Sequence, residues 1–237
     1  MKDLITFDNA KTTKGESLGW LTGILYLAPY TLSGRNVCPF ASPECIKLCL
    51  NTAGMGIFDN VQQARINKTK LFHADPKAFV EGLDGDIIRA RRKAERLAMR
   101  LAIRLNGTSD APWEKLGGEK KRSIMLRHPD LTFYDYTKNP HRMTAFLDGE
   151  MPENYKLTFS RSESNEDIAD GFVRRGGNVA AVFSTKKGRD LPDTYLDAPV
   201  IDGDTHDLRF LDPSGVVVGL RAKGKAKKNQ SDFVIAA

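Results

Sequence analysis

The chain has 237 residues, of which 41% are hydrophobic and 28% charged, a composition typical of a folded globular protein rather than a disordered or fibrous one. Lys and Arg number 36 against 30 Asp and Glu, giving a net charge of +6. No apolar run approaches the ~18 residues that a membrane span needs, and the first residues lack the apolar core of a secretory signal. We therefore expect a cytoplasmic protein with no membrane partner, of unknown oligomeric state.

The first half of the chain contains one strand pattern, one loop and two helix patterns. Residues 1–17 are polar and aperiodic, which predicts an N-terminal extension. An apolar run at 18–30 predicts a buried strand, and 31–56 is a loop rich in Gly, Pro, Ser, Asn and Cys. Apolar spacing predicts helices over 60–73 and, most strongly, over 86–104.

From residue 101 onward, apolar segments alternate with helix patterns, and each apolar segment ends in polar residues. The predicted strands are 101–105, 131–134, 156–159, 179–183, 199–201 and 216–220, with helices at 140–146 and 165–175. Strands alternating with helices favour a mostly parallel sheet in one α/β domain spanning 1–237. About six βα units predict a partial (βα)6 barrel, with an open doubly wound sheet as the alternative.

Parallel sheets bind their ligands at the carboxyl ends of the strands, where polar residues recur in this chain. The candidate catalytic acids there are Asp110, Asp135, Glu163, Asp202 and Asp204, because burial and neighbouring charge can tune carboxylates for acid–base work. The candidate substrate-binding residues are Asn106, Thr108, Lys138, Ser160 and Arg161. The structural alternative is that these acids cap helices and form turns.

All three cysteines lie in the predicted loop, as Cys38, Cys45 and Cys49 in the pattern C-x6-C-x3-C. An odd, clustered set of thiols in a cytoplasmic protein favours metal ligation over disulfides. Three thiolates suit an iron–sulfur cluster with one open iron, whereas zinc needs a fourth ligand, for which His73 is the candidate. The alternative is that the cysteines are small buried hydrophobic residues.

The order of a first strand, a three-cysteine loop and further βα units resembles radical SAM enzymes over about residues 18–220. The resemblance implies a [4Fe-4S] cluster on Cys38, Cys45 and Cys49, with S-adenosylmethionine (SAM) on the open iron. A second resemblance, to base-exchange transglycosylases of the queuine type that modify DNA, implies a zinc site of these cysteines with His73 and a catalytic aspartate.

The whole chain also resembles an uncharacterised family of tailed-phage proteins. The motifs that carry this resemblance include Leu18-Gly-Trp-Leu, Asn36-Val-Cys-Pro, Phe133-Tyr-Asp-Tyr-Thr-Lys, Leu157-Thr-Phe-Ser-Arg-Ser-Glu and Val200-Ile-Asp-Gly-Asp. The resemblance implies a phage protein in the host cytoplasm and names no activity.

Two basic segments predict contact with a phosphate backbone. One is a helix face and the other a basic C-terminal tail over 221–237; their residues are Arg89, Arg92, Arg96, Lys223, Lys225, Lys227 and Lys228. Solvated basic surfaces are the alternative. The sequence therefore predicts a metal-centre-dependent phage enzyme acting on nucleic acid or a nucleotide. The alternatives are a zinc-containing base-exchange enzyme and a non-catalytic nucleic-acid-binding phage protein.

Overall fold

The computed structural model of the chain describes residues 3–7, 10–117 and 122–237. The strands are β1 (Ile5–Thr6), β2 (Trp20–Leu25), β3 (Arg100–Arg104), β4 (Thr132–Thr137), β5 (Tyr155–Ser160), β6 (Val179–Phe183), β7 (Thr194–Tyr195), β8 (Ala198–Asp202), β9 (Val217–Arg221) and β10 (Val234–Ile235). The helices are α1 (Ala10–Glu16), α2 (Pro43–Lys47), α3 (Asp59–Ala74), α4 (Pro76–Arg96), α5 (Ile124–Arg127), α6 (Pro140–Leu147) and α7 (Glu166–Arg174). Short 3-10 segments lie at Leu50–Thr52, Gly54–Ile57, Trp113–Lys115, Arg209–Leu211 and Gly224–Lys228. The predicted α/β class is confirmed.

Ten strands of the described residues form one open sheet in the order β1-β2-β3-β4-β5-β6-β9-β8-β7, with β10 against β6. Each neighbouring pair from β2 to β8 in this order is parallel, as is β10 with β6. The two outermost pairs, β1–β2 and β7–β8, are antiparallel. The prediction of a mostly parallel sheet is therefore confirmed. Because β1 does not close onto β7, the predicted partial (βα)6 barrel is not confirmed.

Helices cover one face of the sheet because β2 to β6 lie side by side in chain order. Parallel strands are joined by right-handed crossovers, so connections that all advance in one direction lie on the same face. Accordingly α4 packs on β2 and β3, α6 on β4 and β5, and α7 on β5 and β6. The larger hydrophobic core lies between these helices and the sheet.

The opposite face is covered by the connection between β8 and β9. The strand order reverses there, because β9 lies between β6 and β8, and the same handedness rule sends this connection across the second face. Leu208 and Phe210 of the connection pack on Trp20, Ala102 and Tyr134, with Phe210 4.7 Å from the Trp20 ring and 5.4 Å from the Tyr134 ring. This smaller core therefore lies on the face of the sheet opposite α4, α6 and α7.

The prediction of one helix over residues 86–104 is wrong at its carboxyl end. Helix α4 is capped by Asp75, whose side chain accepts a hydrogen bond from Ala78 N at 2.9 Å, and it ends at Arg96. Ala98 then has φ 52, a left-handed conformation that ends the helix, and β3 starts at Arg100. Leu101 continues the apolar spacing of α4, but it shares one core with Ile103 while Ala102 faces the other core, as in a strand. This double fit explains the misassigned boundary.

Both terminal segments pack against the sheet. In the described part of the N-terminal segment, Leu4 and Ile5 are buried, and Ile5 N donates a hydrogen bond to Asp86 of α4 at 3.2 Å. At the other end β10 pairs with the carboxyl half of β6, where β5 has already diverged from it. Among the described residues, no helix is long and apolar enough to span a membrane.

Candidate active site at the carboxyl ends of the strands

A cavity of about 670 Å³ opens at the carboxyl ends of the parallel strands. Its wall comes from β3, β4, β5, β6 and β9 and from the loops that follow β2 and β8. Its volume lies within the roughly 300–1,000 Å³ typical of small-molecule sites. The predicted site residues that line it are Cys38, Cys45, Cys49, Asn106, Thr108, Asp110, Lys138, Ser160, Asp204 and Lys223.

All three cysteines are carried by residues 30–58, which we call the cysteine loop. Ser42 caps α2, because its Oγ accepts a hydrogen bond from Cys45 N at 3.3 Å. Helix α2 ends shortly before Cys49, which the short 3-10 segment then follows. Cys38, Cys45 and Cys49 all border the cavity. The loop therefore brings three thiols to one space, next to polar strand ends.

Burial raises the pKa of each thiol and keeps it protonated in the metal-free protein. For Cys38, burial raises the pKa to about 12, although the backbone N–H of Tyr30, 3.4 Å from Sγ, lowers it, and Cys45 and Cys49 raise it further. Burial also raises the pKa of Cys45 and of Cys49, while the charge of Lys138 opposes the rise at both. Such thiols are poor nucleophiles and react only after losing a proton.

Among the described residues, no three His, Cys, Asp or Glu side chains are grouped closely enough to hold a single metal ion. The predicted fourth zinc ligand, His73, does not border the cavity. Its ring packs against Phe72 at 5.1 Å, and its solvent-shielded Nε2 makes no hydrogen bond within the described structure. The structure thus brings the three cysteines to one cavity without His73.

Two cations, the half-buried Lys138 and the buried Arg65, lie beside the thiols. Lys138 Nζ donates hydrogen bonds to Ser160 Oγ at 2.6 Å and to Ser160 O at 3.3 Å, and burial lowers the pKa of this lysine. Arg65 donates to Asn51 Oδ1 and stacks over Tyr26, 4.7 Å from the ring centre. Both cations favour the anionic form of a nearby thiol.

Asp135, a predicted catalytic acid, lies behind the cavity wall rather than in it. It is fully buried and accepts hydrogen bonds from Asn106 N at 2.7 Å, Asn106 Nδ2 at 3.3 Å and Tyr155 OH at 2.9 Å. Burial raises the pKa of Asp135 to about 7. Its contacts orient Asn106, which does border the cavity. Asp135 therefore acts on the site through another residue.

Asp110 connects the cavity to a buried ion-pair network. Its carboxylate accepts hydrogen bonds from Thr137 Oγ1 at 2.9 Å and Lys138 N at 2.9 Å, and pairs with Arg142. Arg142 also pairs with Glu114 at 2.8 Å. Asp110 is thus fixed at the edge of the cavity and keeps Lys138 in place.

Glu163 fixes the cysteine loop, although it does not line the cavity. Its carboxylate accepts one hydrogen bond from Ser42 Oγ at 2.8 Å and another from Glu44 N at 3.0 Å. Both donors belong to the first turn of α2, which carries Cys45. The polar residues after β5 therefore hold the segment that presents a thiol.

The predicted catalytic acids Asp202 and Asp204 lie in different environments. Asp202 lies outside the cavity and pairs with Arg221 at 2.8 Å. Asp204 borders the cavity, where its carboxylate accepts hydrogen bonds from Lys223 Nζ at 2.6 Å and Arg221 N at 3.1 Å. Burial works to raise the pKa of Asp204, but these contacts outweigh it and lower the pKa. Asp204 is therefore ionised at neutral pH.

Arg104 and its partners line the cavity and were not among the predicted site residues. Arg104 Nη1 donates a hydrogen bond to Asp207 Oδ2 at 2.7 Å, and its guanidinium stacks over Tyr136, 4.6 Å from the ring centre. All three residues border the cavity. The sequence did contain a signal for Arg104. Successive side chains of a strand point to opposite faces, so Arg104, which follows the apolar Ile103, must face the other side of the sheet.

The remaining predicted residues lie outside the cavity wall. Arg161 pairs with Glu166 and donates a hydrogen bond to the Asp232 carbonyl oxygen, so it holds the C-terminal segment. The exposed arginines Arg89, Arg92 and Arg96 lie together on α4, in the helical layer. Lys225, Lys227 and Lys228 are exposed on the 3-10 segment that follows β9.

Comparison with known proteins identifies a family, and the description of that family names no activity. The family model described as Gene product 88 matches residues 3–237. No curated protein and no solved structure matches the chain. The match supports the phage setting inferred from the sequence. Because it covers nearly the whole length, this chain belongs to the Gene product 88 family of phage proteins.

Proposed function

We propose that this protein is an enzyme that holds an iron–sulfur cluster on Cys38, Cys45 and Cys49 and acts on a nucleotide or nucleic acid in the adjoining cavity. The observation that carries the proposal is that three thiols from one loop border one cavity at the carboxyl ends of parallel strands. That edge is where enzymes built on parallel sheets place their chemistry.

The donor set fits a cluster better than a single ion. Ligands of one zinc ion share a sphere of about 2.3 Å radius around the metal, and the described residues contain no such group. Thiolates that hold a cluster bind different irons, so they stand farther apart around a larger body. Three cysteines that border one cavity supply the three thiolates that such a cluster needs and leave one iron position open.

Radical SAM-like chemistry is the specific form that we propose. A cysteine loop directly after the first parallel strand, followed by parallel strands in chain order, supports it. The helices on one face of β2 to β6 are also the arrangement expected of a partial βα barrel. When bound, the cluster supplies an open iron that binds SAM, as the resemblance implies.

The residues of the chain have separate roles in this proposal. The thiols lose their protons when they bind a cluster and become negatively charged. The positive charges of Lys138 and Arg65 offset this negative charge. Of the predicted catalytic acids, Asp110 and Asp204 border the cavity and are placed to contact substrate. Asp135 and Glu163 act as positioning residues.

A substrate with phosphate groups suits the charge of the cavity. Lys14, Arg104, Arg221 and Lys223 contribute positive charges to the wall, in addition to Lys138. Guanidinium and ammonium groups are the side chains that bind phosphate oxygens in proteins. Against these five cations the wall carries the three carboxylates Asp110, Asp204 and Asp207, which leaves a net charge of +2. This positive net charge supports a nucleotide or nucleic acid as the substrate class.

The zinc-dependent base-exchange hypothesis has less support. It requires His73 to join the cysteines, and His73 lies outside the cavity wall. A non-catalytic nucleic-acid-binding protein would use the lysines near the cavity, and a metal on the three thiols would only hold the cysteine loop in place. The zinc-dependent hypothesis predicts a protein without iron.

Spectroscopy of anaerobically purified protein tests the proposal. We expect a brown protein with a broad absorption near ~400 nm, typical of thiolate-bound iron. Each of Cys38→Ser, Cys45→Ser and Cys49→Ser should lose most of this absorption, whereas His73→Ala should keep it. A colourless wild-type protein, or one with stoichiometric zinc that His73→Ala removes, would overturn the proposal.

A further inference from the structure

The C-terminal segment, residues 222–237, is anchored at the cavity rather than extending from it. Asn229 Nδ2 donates a hydrogen bond to Glu44 Oε2 of the cysteine loop at 2.6 Å. Farther along, β10 pairs with β6, and Phe233 borders the cavity with its ring centre 5.6 Å from Lys138 Nζ. The basic tail predicted from the sequence is therefore part of the cavity rim.

The lysines of this segment are exposed along the rim, and we call them the lysine row. Lys225 and Lys228 share one side of the 3-10 segment, because side chains three residues apart eclipse. In the 3-10 segment Gly224–Lys228, Ala226 is buried and faces the cavity. The exposed residues of the row are Lys223, Lys225, Lys227 and Lys228. A 3-10 segment of five residues extends about 10 Å at ~2 Å per residue. That length exceeds one phosphate group, so the row suits a chain of phosphates better than a single nucleotide.

An apolar surface adjoins this row of lysines. Tyr30, Leu32 and Leu50 border the cavity, yet they are 36%, 47% and 47% exposed. The Leu50–Thr52 segment contacts Gly224–Lys228, so the apolar and basic surfaces are continuous. Exposed aromatic and apolar side chains next to a basic track are the features with which proteins bind single-stranded nucleic acid.

We infer that a single strand of nucleic acid crosses the mouth of the cavity. Its phosphates contact Lys223, Lys225, Lys227 and Lys228, and one base stacks on Tyr30 at the entrance. A base paired within a duplex cannot reach an enclosed cavity without leaving the stack, so a single strand is the preferred form. The inference deepens the proposed function, because it names the substrate class of the same cavity.

Salt-dependent binding of a short labelled oligodeoxynucleotide to the purified full chain tests the inference. Each phosphate contact on a single strand contributes about −0.7 to the slope of log K against log salt concentration. The triple variant Lys225→Gln, Lys227→Gln, Lys228→Gln should therefore reduce the magnitude of the slope by about 2. The matched control Lys70→Gln, Lys77→Gln, Lys156→Gln removes three exposed positive charges that lie outside the cavity wall and should leave the slope unchanged. A lysine variant that keeps the wild-type slope, or a control that loses as much slope as the lysine variant, would overturn the inference.

Stacking at the entrance has its own test. Tyr30→Ala should weaken single-strand binding by between about fivefold and a hundredfold, as for other stacking residues, whereas Tyr30→Phe should retain it. The same sequence as a duplex, the corresponding RNA strand and a 5′-mononucleotide serve as competitors. Competition by the RNA strand would identify RNA as the source of the strand. A duplex or mononucleotide that competes as well as the single strand would contradict the inference.

The inference and the proposed function can fail separately. Binding measured in Cys45→Ser protein reports the strand site without the proposed cluster ligand set. If wild-type protein without iron still binds the single strand, the cluster proposal is wrong and the inference holds. If wild-type protein contains iron but does not bind the single strand, the inference is wrong and the cluster proposal holds.

Discussion

The hydrogen bonds between Glu163 and α2 make a quantitative prediction about the cysteine loop. The Glu163→Gln variant keeps one acceptor oxygen, but replaces the other by an amide nitrogen that faces a donor. One of the two bonds, to Ser42 Oγ at 2.8 Å or to Glu44 N at 3.0 Å, is therefore lost. A hydrogen bond to a charged group contributes about 1.5–3 kcal/mol. Opening of the loop should become about tenfold to a hundredfold more frequent, since 1.4 kcal/mol is a factor of ten.

Alkylation of Cys49 by iodoacetamide in the metal-free protein measures this opening. Cys49 is the suitable reporter, because burial and the backbone N–H of Asn51 set its pKa, so the lost charge of Glu163 has little direct effect on it. Mass spectrometry of the Cys49 peptide gives the rate, which should rise by the factor above. The exposed Glu153→Gln serves as the control and should react like the wild type. Equal rates in all three proteins would refute the role of Glu163.

Three further predictions follow from the buried groups. Because burial raises the pKa of Cys38 to about 12, its alkylation in metal-free protein should accelerate about tenfold per pH unit up to that value; a plateau near pH 9 would contradict this. Arg142→Ala leaves Asp110 and Glu114 without their buried partner. The free energy of unfolding measured in urea should therefore fall by about 3–5 kcal/mol, and a fall below ~1 kcal/mol would show that the network is dispensable. Burial also raises the pKa of Asp135 to about 7, so the unfolded chain loses this proton at lower pH than the folded protein. The free energy of unfolding of the wild type, measured relative to that of Asp135→Asn, should therefore fall by about 4 kcal/mol between pH 4 and pH 8. Parallel curves of unfolding free energy against pH for the two proteins would contradict the raised pKa.

Much of the architecture could be predicted because local patterns and tertiary packing agree. The apolar run 179–183 coincides with β6, and the helix pattern over 60–73 agrees with α3 to within a residue at each end. The boundary inside 86–104 could not be predicted, because one apolar spacing fits both the end of α4 and the start of β3. The left-handed turn at Ala98 that separates them has no glycine or proline to mark it.

The candidate site was predictable in location more than in the role of each residue. Strand alternation puts Asp135 on the same face as Phe133, beneath the helices, whereas Tyr136 is on the cavity face. The predicted strand 131–134 ended before Asp135, whereas β4 continues to Thr137, so Asp135 lies within the strand and its face decides whether it meets a ligand. Glu163 illustrates a second limit, because its partner Ser42 is far away in the chain and no local pattern connects the two.

The content of iron and acid-labile sulfide per chain, measured on anaerobically purified or reconstituted protein, is the sharpest test of a cluster on these three thiols. We expect iron and sulfide in equal amounts, approaching four of each per chain for a [4Fe-4S] cluster. We also expect their loss in a variant in which Cys38, Cys45 and Cys49 are all replaced by serine. A wild-type protein that takes up neither under reconstitution, while its fold remains intact, would contradict the claim that these three thiols are the ligands of a metal centre.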